Sequence, residues 1–302
     1  MKTPQIPAPE LAAQLGLSAE LWLKREDLHH YNSHKGRSIP LMITEYFKKQ
    51  GFKKFVISSS GNAALAAIIA IQTHNKSKPD DPFSLTVFVG KKIDESKLTI
   101  LKQNITDPHI TIEQIENPKQ GAVKAGQENG IKLLRQSSDD LALRGYTELA
   151  KELAKIENLS AVFIPTSSGT TAVGLDVGFK MSNLKVQIHV VQTPNCHPII
   201  DAIFARQGKE TVAAEEPAPS LASSIVDNIG LRKEKVAEVV TESGGEGWIA
   251  TNEDIKKIIE IAKKTLHFPI SGTSALSLVG LSLAIKNNQT FAGPVVCLIT
   301  GK

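Results

Sequence analysis

The stretch "KFVISSSGNAALAAIIAIQTH", residues 54–74, decides how the chain folds. Residues 54–58 are a short apolar run rich in aromatic and β-branched side chains, the pattern of a strand. Small hydroxyl residues and a glycine follow. Residues 62–74 are then alanine-rich and long enough for a helix. Ten residues on, "SLTVFVG" (84–90) is a second strand. Both strands are continuously apolar rather than alternating, as strands covered on two faces are. A helix between two such strands joins them in parallel.

The same alternation extends outward. Strands are predicted at 109–115, 161–165, 186–192, 236–240 and 294–300. Helices are predicted at 94–104, 119–130, 146–158, 171–181, 197–208, 252–266 and 273–287. The expected class is α/β, with mostly parallel sheets flanked by helices. The polar stretch near 135–145 reads as a crossing between two sheets, and no internal repeat interrupts the pattern.

Composition narrows the function. A chain of 302 residues has room for one large or two medium domains, and 41% hydrophobic with 22% charged residues is an ordinary globular balance. The net charge of +4 comes from lysines scattered through segments such as "FKKF" and "GKKI", and aromatics make up 5%. A nucleic-acid surface needs clustered cations, so none is expected. Cys196 and Cys297 lack metal-ligand spacing and point to a reducing compartment. The opening "MKTPQIPAPELAAQLG" lacks the apolar core of a signal peptide, and "ALAAIIAI" is too short to cross a bilayer. A soluble cytoplasmic protein with no membrane partner is expected.

Ligands of α/β sheets collect at the carboxyl ends of strands, and three strands here end in unusual loops. "SSSGN" (58–62) and "PTSSGTTAVG" (165–174) put hydroxyls and a glycine at a helix start, where open N–H groups suit a phosphate or carboxylate. A helix cap with a serine-rich turn is the plainer reading of each. Neither is the lysine-containing P-loop. "CLITG" (297–301) ends the last strand. Earlier, "YNSHKGRSIP" (31–40) places Lys35 just before a helix. His30 and His34 lie nearby without an acidic partner, so no metal is expected.

Taken in order, these pieces resemble the tryptophan synthase β-subunit superfamily of pyridoxal-phosphate enzymes, fold type II. Within it the chain is most similar to threonine synthase. "LWLKREDLHHYNSHKGR", "SSGNAALAA", "VQTPNCHPIIDAI", "LASSIVDNIG", "ESGGEGWIATNEDI" and "LITG" carry the likeness, which runs from Thr3 to Gly301. The resemblance implies a large cofactor-binding domain (1–37 and 146–302), a small mobile domain (38–145), pyridoxal 5'-phosphate in the cleft between them, and a homodimer. It implies that Lys35 holds the cofactor aldehyde covalently and then moves the substrate α-proton. A lysine with an ordinary pKa of about 10.4 offers little neutral amine at pH 7, so burial must lower it. Asn62 is implied to bond the ring hydroxyl oxygen. Ser59, Ser60, Asn62 and Ala63 are implied to hold the substrate carboxylate, and Ser167, Ser168, Gly169, Thr170 and Thr171 the cofactor phosphate. Thr300 is implied to face the pyridine nitrogen, a weaker partner than a carboxylate, favouring elimination or replacement over transamination.

The implied reaction is elimination or replacement on a small amino-acid substrate, O-phosphohomoserine to threonine by the closest likeness. A serine/threonine ammonia-lyase or a cysteine synthase-like enzyme is the alternative. A non-catalytic binding protein on the same fold is the alternative of another class. The sequence departs from the family pattern at His34, usually aromatic, at Gly36, usually acidic, and in the serines and threonines of the 165–174 loop. An arginine expected as a second phosphate anchor falls at Ala142, with Arg144 adjacent.

Overall fold

The computed structural model describes residues 2–211 and 218–301. The chain divides into two compact units, Met1–His29 with Leu143–Lys302, and His30–Ala142. It begins with β1 (Gln5–Pro7), α1 (Pro9–Leu15) and β2 (Leu21–Arg25). Next come α2 (Ile39–Gln50), β3 (Lys54–Ser58), α3 (Asn62–Ser77), β4 (Ser84–Gly90), α4 (Glu95–Gln103), β5 (Ile110–Ile115), α5 (Pro118–Ala125) and β6 (Ile131–Leu133). α6 (Leu141–Leu153) leads to β7 (Ala161–Pro165), α7 (Thr170–Met181), β8 (Gln187–Gln192), α8 (Pro198–Arg206), α9 (Lys233–Ser243), β9 (Gly247–Ile249), α10 (Asn252–Thr265), α11 (Gly272–Lys286) and β10 (Val295–Ile299).

Among the described residues, the His30–Ala142 unit is built on a four-stranded sheet in the order β5-β4-β3-β6. Its pairings are all parallel, as the apolar runs of 54–58 and 84–90 require. α3 buries Ala64, Ala66, Ala67 and Ile68 completely in the core of this unit. The small alanine side chains let the helix lie close to its neighbours. α5 stops at Ala125, well short of the predicted 130. A Cβ on Gly126 would stand 2.7 Å from Leu133 Cβ, so the chain turns where β6 passes.

The other unit carries a six-stranded sheet, β1-β2-β10-β7-β8-β9, antiparallel only between β1 and β2. α11 is buried on every side from Ser274 to Leu281. Its polar side chains are satisfied internally: Ser277 Oγ lies 3.0 Å from both Ser274 O and Leu298 O. α10 is the opposite case. It buries Ile255, Ile258 and Ala262 along one stripe and starts with a capping box between Thr251 and Asp254.

One predicted strand is a helix. Residues 236–240 lie within α9, not in the sheet. Val236, Ala237, Val239 and Val240 are fully buried and share one helical face, while Lys233, Glu234, Lys235, Glu238 and Glu242 take the other positions. The short stretch "VAEVV", with Glu238 in its middle, mimics a strand's alternation, and the helical period shows only over the full 233–243 span. The helix predicted at 146–158 is shifted toward the N-terminus as α6.

A buried imidazole links β8 to β9. His189 stacks on Phe163, with ring centroids 4.3 Å apart. Its Nδ1 accepts from Glu246 N at 3.2 Å and Trp248 Nε1 at 3.3 Å, so its proton sits on Nε2, facing Gln187 Oε1 at 3.3 Å. Burial pulls the pKa of His189 down to about 3, while an unfolded histidine titrates near 6.5. The folded state therefore refuses a proton that the unfolded state accepts. Stability is full above about pH 6.5 and falls as pH drops toward 3. The His189→Gln variant, which keeps an acceptor without a titrating ring, loses less stability between pH 6.5 and 5 than the wild type. The difference, read from urea unfolding, is roughly 2 kcal/mol.

Candidate active site

In each unit a parallel strand hands over to a helix at the carboxyl edge of the sheet, and the two predicted hydroxyl loops, 58–62 and 165–174, sit at those handovers. β7 ends at Pro165, and residues 166–169 lead into α7. Gly169 has φ +79 and precedes the first turn. A Cβ there would lie 2.3 Å from Val236 Cγ2 of α9, so both backbone and packing demand glycine. No side chain caps α7. Among the described residues, the N–H groups of Ser168, Gly169, Thr171 and Ala172 meet no acceptor. Ser168 Oγ and Thr170 Oγ1 are 3.0 Å apart beside them. Bare N–H groups with hydroxyls at the positive end of a helix form an anion cradle. Thr300, 2% exposed, follows β10, the strand paired in parallel with β7, and so lies at the same edge of that sheet.

The second handover is β3 to α3. Asn62 is the first residue of α3, and Gly61 precedes it without a side-chain cap. Among the described residues the N–H groups of Asn62, Ala63 and Ala64 meet no acceptor. Ser59 Oγ accepts from Gly61 N at 3.3 Å, and Ser60 is exposed. Lys35 lies in a 3₁₀ turn, His34–Arg37, that packs on α2 and α3. Ser33 Oγ accepts from Lys35 N at 3.3 Å, and Ser38 Oγ donates to Lys35 O at 3.4 Å. Gln136 donates to that same Ser38 hydroxyl. Gly36 and Arg37 are buried in the turn, and Lys35 is half-buried. Within this unit, the lysine turn and the asparagine loop are therefore neighbours.

Two features escaped the sequence reading. The start of α11 has the same hydroxyl-rich signature as the other two loops, but its hydroxyls are consumed. Ser271 and Ser274 Oγ donate to Gly301 O at 2.8 and 2.7 Å, clamping the end of the last strand beside Thr300. Composition flags this segment, and only the bonding shows that it is structural. The second feature is the bonding of segment 218–231, quoted above only for its likeness: it lacks regular structure, and its backbone donates to Ser167.

The chain matches the family of pyridoxal-phosphate dependent enzymes over residues 1–301, and it belongs to that family. It is 23% identical over 313 residues to the catabolic L-threonine dehydratase of Staphylococcus aureus, covering 99% of this chain and 83% of that protein. Among solved structures, maize serine racemase aligns with a TM-score of 0.81 at 17% identity, covering 100% of this chain and 88% of that one. The L-serine ammonia-lyase of Rhizomucor miehei aligns at 0.78 and 18%, covering 100% and 93%. These likenesses establish the fold type II architecture. The narrower sequence likeness to threonine synthase is not what these relatives are named for.

Gly169→Ala tests the cradle. Strain at positive φ and the clash with Val236 lower stability by about 1–3 kcal/mol. Thermal melting of the variant against wild type measures the loss.

Proposed function

We propose that this enzyme is an ammonia-lyase for a small β-hydroxy amino acid, serine or threonine. The observation that carries the choice is position 142. Ala142 has no exposed surface and packs into an apolar core, while Arg144 is exposed. A cationic anchor for a second, substrate phosphate is thus missing at the expected position, which favours a hydroxyl over a phosphate leaving group. The dehydratase and ammonia-lyase relatives support the same choice.

Bound pyridoxal phosphate supplies an electron sink that acidifies the α-carbon and lets the β-substituent depart. In this reading the open N–H groups of α7, with Ser167, Ser168, Thr170 and Thr171, hold the cofactor phosphate. The N–H groups at the start of α3, with Ser59 and Ser60, hold the substrate carboxylate, while Asn62 also bonds the ring hydroxyl oxygen. Lys35 carries the cofactor and moves the proton at the α-carbon. The bonds to its backbone N–H and carbonyl fix the turn from which it reaches. Thr300 meets the ring nitrogen with a hydroxyl, which does not compel protonation and so steers toward elimination. Loss of water from serine or threonine, followed by hydrolysis, gives a 2-oxo acid and ammonia.

The test is product analysis with serine, threonine and O-phosphohomoserine. The expected result is ammonia and a 2-oxo acid from the hydroxy amino acids, reduced at least 10²-fold in Lys35→Ala with loss of the cofactor's visible absorbance band. Inorganic phosphate and threonine from O-phosphohomoserine would restore the threonine synthase reading. An intact band with no turnover of any of them would move the chain to the binding proteins.

A further inference from the structure

Segment 218–231 is a strap over the carboxyl edge of the six-stranded sheet. Asn252, just after β9, accepts from Leu221 N at 2.8 Å and donates to Pro219 O at 3.1 Å. Ala222 and Ile225 are buried in the core beneath. Further along, Val226 N and Asp227 N both donate to Ser167 Oγ, at 3.1 and 3.2 Å. Past them, Gly230 abuts Pro198 at the start of α8. Between these anchors Val226 and Ile229 are 60% and 55% exposed, so little apolar burial fastens this part of the strap.

The Ser167 bonds carry a consequence. A serine hydroxyl has two acceptor lone pairs and one proton. Both lone pairs face the strap, and among the described residues nothing accepts the proton. Ser167 lies one residue before the bare N–H groups of the anion cradle. We propose that Ser167 is a positioning residue whose hydroxyl donates to the cofactor phosphate while accepting from the strap, so that seating the phosphate tightens the strap. The coupling is physical: an O–H that donates to an anion is polarised and becomes a better acceptor for the two N–H groups behind it. The proposal rests on the reading of residues 167–171 as the phosphate cradle. A glycine at this position would leave the strap untied.

Hydrogen exchange at the Val226 and Asp227 amides tests it, in wild type, Ser167→Ala and Ser167→Thr, each without ligand, with pyridoxal phosphate, and with pyridoxal, which lacks the phosphate. Without ligand, exchange is expected to be about tenfold faster in Ser167→Ala, the worth of one hydrogen bond, and to return toward wild type in Ser167→Thr. Pyridoxal phosphate is expected to slow exchange further in wild type and Ser167→Thr only, and pyridoxal in none. Unchanged exchange in Ser167→Ala overturns the tie. Equal slowing by pyridoxal, or none by pyridoxal phosphate while the visible band reports it bound, overturns the coupling. A wild type that shows no band with pyridoxal phosphate marks failure of the cofactor reading instead. The tie is then judged on the ligand-free comparison alone.

Discussion

A parallel strand can be followed by its parallel neighbour only if the chain crosses back over the sheet, and the crossing helix must start at the carboxyl edge. Both open helix starts in this chain depend on that constraint. It sets the uncapped starts of α3 and α7, with their unpaired N–H groups, at the edges of two separate parallel sheets. Ordinarily a side chain would cap such ends. Here the residues that precede them are glycines, Gly61 and Gly169, which leave the donors open.

The six-stranded unit is held together partly by ionic pairs. Lys24 is 1% exposed, and its ammonium bonds Thr3 O, Gln5 Oε1 and Glu152 Oε2. Arg25 grips Asp27 through two nitrogens and lies 3.3 Å from the Phe268 ring centroid. Breaking one partner of such a buried pair leaves an unpaired charge, which costs far more than the intact pair contributes. The N-terminal strands are thus locked to α6 and β10 by pairing and sheet bonds together. The polar pairs sit where an apolar core would tolerate sliding, and their geometry does not.

Hydroxyl-rich helix starts recur three times in this unit and its companion, with three outcomes. At α11 the serines are spent on Gly301 and the cap. At α3 Ser59 serves its own loop and Ser60 faces solvent. At α7 Ser168 and Thr170 pair with each other, and Ser167 faces the strap. The same residue types therefore build a clamp, a rim and a hinge point, according to which acceptors the neighbouring strands bring within reach.

How much of this was legible follows from the range of the forces involved. Strands 54–58, 84–90 and 161–165, the helix start at Asn62 and, to within one residue, that at Thr170 were readable because local periodicity and small polar residues specify them. The run at 236–240 was not, because four apolar residues around Glu238 fit either period until the charges within and beside them are packed outward. The glycine at 169 was readable as a motif, but beside its positive φ the demand comes from Val236, some sixty-seven residues away. The roles of Gln136 behind Ser38 and of the 218–231 strap behind Ser167 had no local signature. The sequence by itself determined the βα alternation, the lysine turn and the two hydroxyl loops before α3 and α7, since those rest on neighbours in the chain. Only the tertiary structure decided which hydroxyls are consumed and which keep a proton to donate, because a hydrogen bond is settled by what folding brings within about 3 Å.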